Sequence, residues 1–250
     1  MLSNKENHHP LQVRPAIIIS VNHRKVKRST ETTFYDLECV MKFTKNTLLK
    51  DILNLPCFRQ MSGQFIASST GDWFHGKDSL SLAGLQQQNP TWYWEDVAYG
   101  LNRLQEIALS GERYVYRISE SACLIHLPAE NRRYKEYAIL NAGGAYGAVC
   151  TMVEALPTAA KLNELGMDCF CLNYRTATPD SFIDGLMPKP LEDLALAWKY
   201  IKSNEAALRL DAENYIVGGF SAGGHLTAMW GAENHGARHF GIPNPRALLL

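Results

Sequence analysis

The stretch Gly219-Phe220-Ser221-Ala222-Gly223 sets a serine midway between two glycines, just after the apolar Tyr215-Ile216-Val217 and just before a helical run from Ser221 to Trp230. A chain that passes from strand to helix at a single residue forces that residue into a strained backbone geometry. Glycines two positions to either side make room for the bend, which is the G-x-S-x-G elbow. Such a turn thrusts the serine hydroxyl out at the carboxyl end of the sheet, where open α/β sheets bind ligands. The following helix points its first N–H groups and the positive end of its dipole at the same spot. An oxygen nucleophile beside such donors suits acyl transfer through a tetrahedral oxyanion.

That chemistry needs a second preorganised donor. The amide of Ala222 supplies one. Asn141-Ala142-Gly143-Gly144-Ala145-Tyr146-Gly147, after the apolar run Tyr137 to Leu140, can supply the other through Gly144 or Ala145. A phosphate cradle is disfavoured, because the G-x-G-x-x-G spacing and a lysine following the glycines are both missing. Ala145 follows the two glycines and fits there if its φ is negative.

The elements that must position these groups alternate. Tyr114–Ile118, Ala122–Leu127, Tyr137–Leu140, Met167–Leu172, Tyr215–Val217 and Arg246–Leu250 read as strands, the last as the start of a buried one. Between them, Leu156, Ala160, Leu162 and Leu165 mark one helix, closed by Gly166. Leu191, Leu194, Ala195, Trp198 and Ile201 mark another, with Pro190 at its first turn. Strands alternating with helices of this length predict an α/β fold with a mostly parallel sheet. Residues 113–250 form this core. Residues 34–112 read as a mainly helical extension, with Trp92, Val97, Leu101, Leu104 and Ile107 at helical spacing and Gly111 as the cap; the aromatic cluster Thr91 to Trp94 is assigned to core. Residues 1–33 form a polar segment in which Ile17–Ile19 could add a strand.

From about Tyr137 onward the chain resembles the α/β-hydrolase esterase/lipase group related to hormone-sensitive lipase and bacterial acetyl-esterase-like proteins. The resemblance is carried by Ala142-Gly143-Gly144-Ala145-Tyr146, by Leu162 to Gly166 leading to Asn173-Tyr174-Arg175, and by Pro190 to Ala195. It continues through Gly219 to Leu226 and Pro245-Arg246-Ala247. It implies a serine carboxylic-ester hydrolase acting through an acyl-enzyme. Ser221 would be the nucleophile; Ala222, Gly144 and Ala145 the oxyanion hole; Gly143, Tyr146 and Phe220 the substrate contacts. The expected partner is a small-molecule ester, with no cofactor and no metal.

In this fold the acid and then the histidine follow the serine along the chain. Beyond Ser221 there is no aspartate, one glutamate (Glu233) and three histidines, His225, His235 and His239. None fits by position. His225 lies one helical turn on, where it is expected to pack beneath the elbow. His235 and His239 fall in a polar connection. Asp180, Asp184, His126 and His75 would require a rearranged triad. The expectation is therefore a hydrolase lacking its C-terminal strands, whose cut sheet edge could pair with other chains. Two other readings stay open: an inactive module that binds through the same pocket, and an acyltransferase or peptidase on the same fold.

The 25 basic and 25 acidic side chains cancel, which argues against nucleic acid or an anionic membrane as partner. One basic run, His23 to Arg28, reads as a solvated loop. The six cysteines form no C-x-x-C pair and mostly sit among apolar residues, as core thiols of a reducing compartment do. No apolar run is long enough for a secretory signal or a membrane span, and a cytoplasmic location is the default expectation.

Overall fold

The apolar runs at the centre of the sequence become the centre of one sheet. The computed structural model describes residues 40–69, 75–178, 180 and 185–250. All of these belong to the unit Tyr35–Leu250. Six strands follow in chain order: β1 (Val115–Arg117), β2 (Cys123–Leu127), β3 (Tyr137–Asn141), β4 (Asp168–Asn173), β5 (Tyr215–Gly219) and β6 (Ala247–Leu249). Their spatial order is β1-β2-β4-β3-β5-β6. β4, β3, β5 and β6 run parallel, while β1 and β2 form an antiparallel flank. Every residue of β2, β3 and β4 is buried, as befits strands covered on both faces.

Parallel neighbours need crossovers, and helices supply them. The extension contributes α1 (Leu49–Leu53), a 3-10 turn Pro56–Met61, α2 (Leu82–Gln88) and α3 (Trp94–Leu109). In the core, α4 (Ala155–Glu164) joins β3 to β4. α5 (Lys189–Ser203) and the short α6 (Glu205–Leu208) lead to β5, and α7 (Ala222–Gly231) to β6. This mixed, mostly parallel sheet with flanking helices is the α/β-hydrolase architecture.

The extension shares the sheet's hydrophobic core through Phe43, Leu49, Phe58, Leu101 and Leu104. α3 lies so close to α4 that a Cβ on Gly100 would meet Pro157 N at 2.9 Å. The segment just after the 3-10 turn braces the glycine-rich loop. Ala67 and Val149 exchange both backbone hydrogen bonds, at 3.1 and 2.8 Å. Ser68 Oγ donates to Gly147 O at 2.8 Å, and Met152 N to Phe65 O at 2.8 Å.

Polar residues within the apolar strands find one another. Asp168 of β4 is wholly buried and takes His126 of β2 at 3.0 Å, Arg132 Nε at 2.9 Å and the Ala129 N–H at 3.0 Å. Burial alone would raise its pKa; those hydrogen bonds outweigh it and hold the carboxyl below its ordinary value. Two of the segments that carry the family resemblance are likewise bound together, by Arg175 Nε on Asp193 Oδ1 at 2.9 Å.

Some expectations change. Among the described residues β6 pairs with β5 alone, and its Leu249 is 44% exposed, so the strand is not a buried one. In the aromatic cluster Trp92 and Trp94 pack against the core, but Tyr93 is exposed. Cys123, Cys150, Cys169 and Cys171 are buried free thiols, and burial pushes Cys123 and Cys150 up to about 12. The Ile17–Ile19 strand, the basic run His23 to Arg28, Cys39 and Asp184 lie outside the described residues. Among the described residues no helix is long and apolar enough to cross a membrane.

Candidate active site

β5 turns into α7 at one residue. Ser221 has φ 49° and ψ −117°, a region L residues rarely occupy. Its neighbours show why glycines flank it. A Cβ on Gly219 would meet Gly223 O at 2.1 Å, and one on Gly223 would meet Asn141 O at 2.0 Å. The elbow is also tied to the end of β3, because Phe220 N donates to Asn141 O at 3.0 Å. Ser221 is the N-cap of α7, yet its side chain makes no capping bond. The residue is exposed, and its hydroxyl has no partner among the described residues.

The glycine-rich loop meets the elbow at Gly143. A Cβ there would lie 2.7 Å from Phe220 O and 2.8 Å from Ser221 Cβ. Beyond it Gly144, Ala145 and Tyr146 have φ of 134°, 51° and 59°. The negative φ that would have excused Ala145 is thus not what the loop adopts. A tight turn forces the positive values: Gly147 N and Ala148 N both reach back to Gly144 O, at 2.9 and 3.0 Å. A methyl on Gly144 would strike Ala148 O at 2.2 Å. The amides of Gly144 and Ala145 donate to no acceptor among the described residues.

Sequence spacing did not reveal two members of this site. Glu154 Oε2 accepts the Gly143 N–H at 2.5 Å, and its Oε1 accepts the Trp92 indole N–H at 3.3 Å. Gly143 therefore comes to the site with its own amide already engaged. Nothing in the spacing marks Glu154, because it is the fold-back of Cys150 N onto Gly143 O, at 2.9 Å, that returns the chain to the elbow.

Tyr146 closes another side. Its ring stands edge-on to Tyr174 with centroids 5.8 Å apart, and its hydroxyl lies 2.9 Å from His225 Nδ1. Burial pushes the Tyr146 phenol up to about 12, so at neutral pH it keeps its proton, and the His225 tautomer decides which of the two groups donates. Tyr174 OH donates to Ala142 O at 2.6 Å. His225 is exposed instead of packed beneath the elbow, because it stands on the face of α7 that Tyr146 reaches. Phe220 is half-buried.

The remaining candidates stand apart. His126 pairs with Asp168 at the amino ends of the parallel strands, away from Ser221. His75, Asp180, His235 and His239 are exposed. Among the described residues no other histidine–carboxylate ion pair is formed, and no cluster of three potential metal ligands. A cavity of about 250 Å³ is bordered by Gln64, Cys123, Asn173 and Thr176, without Ser221.

Residues 124–241 match the family model described as BD-FAE. A stretch of 84 residues is 33% identical to endo-1,4-beta-xylanase B of Butyrivibrio fibrisolvens, covering 34% of this chain and 13% of that one. Among solved structures the chain is similar to MGS-M1, an α/β-hydrolase enzyme from a Medee basin deep-sea metagenome library. Identity there is 24%, over 54% of this chain and 53% of that one, with a TM-score of 0.44. It is also similar to an acetyl ester-xyloside bifunctional hydrolase from Caldicellulosiruptor lactoaceticus, 29% identical over 44% of this chain and 38% of that one, with a TM-score of 0.37. The chain spans less than two thirds of each of these relatives. The sheet topology is that of an α/β-hydrolase fold, and the BD-FAE match falls on its central part.

Proposed function

We propose that this chain is a carboxylic-ester hydrolase that works through an acyl-enzyme, with Ser221 as its nucleophile. The observation that carries the reading is the backbone of Ser221, a non-glycine residue at φ 49° whose hydroxyl is exposed and unpartnered among the described residues. Strain of this kind costs about 1–3 kcal/mol and persists where the surrounding structure over-determines it, as at active sites.

In the proposed reaction the Ser221 oxygen adds to the carbonyl carbon of a small-molecule ester. The oxyanion that forms is held by the Ala222 amide at the start of α7 and by the amides of Gly144 and Ala145. Collapse of the intermediate expels the alcohol, and water then releases the acid from the serine. Gly143, Tyr146 and Phe220 border the substrate. The serine proton must pass to a base, a role that is given to no described residue.

A second reading, a binding module that keeps the pocket without turnover, is favoured by the lack of a histidine–carboxylate pair at Ser221 among the described residues. A fluorophosphonate probe separates the two, because it reacts only with an activated serine. Stoichiometric labelling that Ser221→Ala abolishes supports the hydrolase. A folded wild-type protein that stays unlabelled supports the binding module.

A further inference from the structure

At the end of the sheet away from Ser221, where β3 and β4 begin, a cleft of about 740 Å³ opens against the β2–β3 connection. That volume is in the range of small-molecule sites. Arg113, Arg132, Arg133, Lys135 and Arg209 border it, against the carboxylates Glu112 and Glu130. Two of the cations are already engaged. Arg132 grips Asp168 and the Leu208 carbonyl, and Arg113 lies 5.1 Å over the Tyr116 ring with its Nε on Val115 O. The side chains of Arg133, Lys135 and Arg209 form no hydrogen bond or ion pair among the described residues.

A buried group independently points into the same space. His126 borders the cleft although its side chain is only 8% exposed. Its ring is clamped, stacked on Phe170 at 4.3 Å with Nε2 on Asp168 at 3.0 Å. Its Nδ1 has no partner among the described residues. With Nε2 engaged by Asp168, Nδ1 is the ring nitrogen left for a ligand of the cleft. Tyr116, tilted toward His126 with centroids 6.5 Å apart, and the exposed Tyr134 add aromatic walls.

We propose that this cleft binds a phosphate monoester of an aromatic or heteroaromatic alcohol. The phosphate sits among Arg133, Lys135, Arg209 and His126 Nδ1, and the ring lies against Tyr116 and Tyr134. A dianion with three terminal oxygens can satisfy several cations at once, where a single carboxylate offers only two oxygens. The proposal is independent of the hydrolase reading, since none of these residues touches the elbow.

The test titrates the whole chain with phenyl phosphate and, separately, with inorganic phosphate. Calorimetry reads affinity, and the imidazole NMR signals of His126 report on the cleft. The expected result is saturable binding that shifts the His126 signals, with phenyl phosphate bound more tightly than inorganic phosphate. Arg133→Gln combined with Lys135→Gln should weaken it about tenfold or more, with fluorophosphonate labelling unaltered from wild type. Since the Arg133 stem packs against Gly166, the exposed Lys135→Gln alone serves as the second variant and should weaken binding severalfold. Unmoved His126 signals, undiminished affinity in Lys135→Gln, or phenyl phosphate bound no more tightly than inorganic phosphate would each overturn the proposal.

Discussion

Glu154 and Gly143 are joined at the elbow: the Glu154 carboxylate accepts the Gly143 N–H at 2.5 Å. A Cβ built on Gly143 would stand 2.8 Å from Ser221 Cβ and 3.1 Å from Glu154 Oε2, so acid and serine border the same point. Through Trp92 the carboxylate is also anchored to the segment that leads into α3. Glu154 thereby fixes the Ala142–Gly143 peptide plane, while Cys150 N on Gly143 O holds the next plane, which carries the Gly144 amide.

Glu154→Ala should slow fluorophosphonate labelling of Ser221 by about tenfold to a hundredfold, the range expected from a small misplacement of a positioned donor. Glu154→Gln keeps an oxygen for the Gly143 amide and should recover most of the rate. If Glu154→Ala reacts as fast as wild type, the residue does not position the loop.

Gly144 and Ala145 both have positive φ, but only Gly144 also faces a clash. Gly144→Ala should lower unfolding free energy by about 3 kcal/mol or more. Ala145→Gly should change it by no more than about 1 kcal/mol, because relief of strain and added chain entropy oppose each other. Denaturant titration of both variants checks the contrast, and equal costs would refute it.

Asp168 makes an acid-side prediction. Its folded pKa lies below the unfolded value of about 3.9, so its contribution is present above that pH and is lost as pH falls through the folded value. Asp168→Asn should cost about 3 kcal/mol at neutral pH, because Arg132 loses its buried partner. The difference from wild type should shrink below pH ~3.9. A cost that stays the same down the acid limb would show that the ion pair is not its source.

Buried tyrosines make the opposite prediction at high pH. Burial raises Tyr137, Tyr174 and Tyr215 and pushes Tyr146 up to about 12. A raised folded pKa leaves stability intact below the unfolded value of about 10 and removes it as pH climbs toward the folded value. Melting temperature should hold up to pH ~10 and then fall, together with late tyrosinate absorbance at 295 nm in a spectrophotometric titration. Tyrosinate that forms at an ordinary pH in the still-folded protein would contradict the burial.

Much of this was legible along the chain, for physical reasons. Fully buried parallel strands need near-continuous apolar runs, so Tyr137 to Leu140 and Met167 to Leu172, broken only by Asp168, announced β3 and β4. Gly219 and Gly223 could be read because the elbow tolerates no side chain there. What escaped depends on long-range return of the chain. Glu154 comes to Gly143 through a tight loop, and residues 65–69 reach that loop from the extension. His126 and Asp168 are 42 residues apart and meet only across the sheet. The contact of His225 with Tyr146 comes from a loop in which Tyr146 has a positive φ, which an ordinary tyrosine gives no reason to expect.

The most direct measurement is intact-protein mass spectrometry after treatment with a fluorophosphonate, run on wild type and Ser221→Ala. One phosphonyl adduct mapped to Ser221 and lost in the alanine variant is the predicted result. A folded wild-type chain that stays unmodified, or that is modified equally in both proteins, would contradict Ser221 as an activated nucleophile.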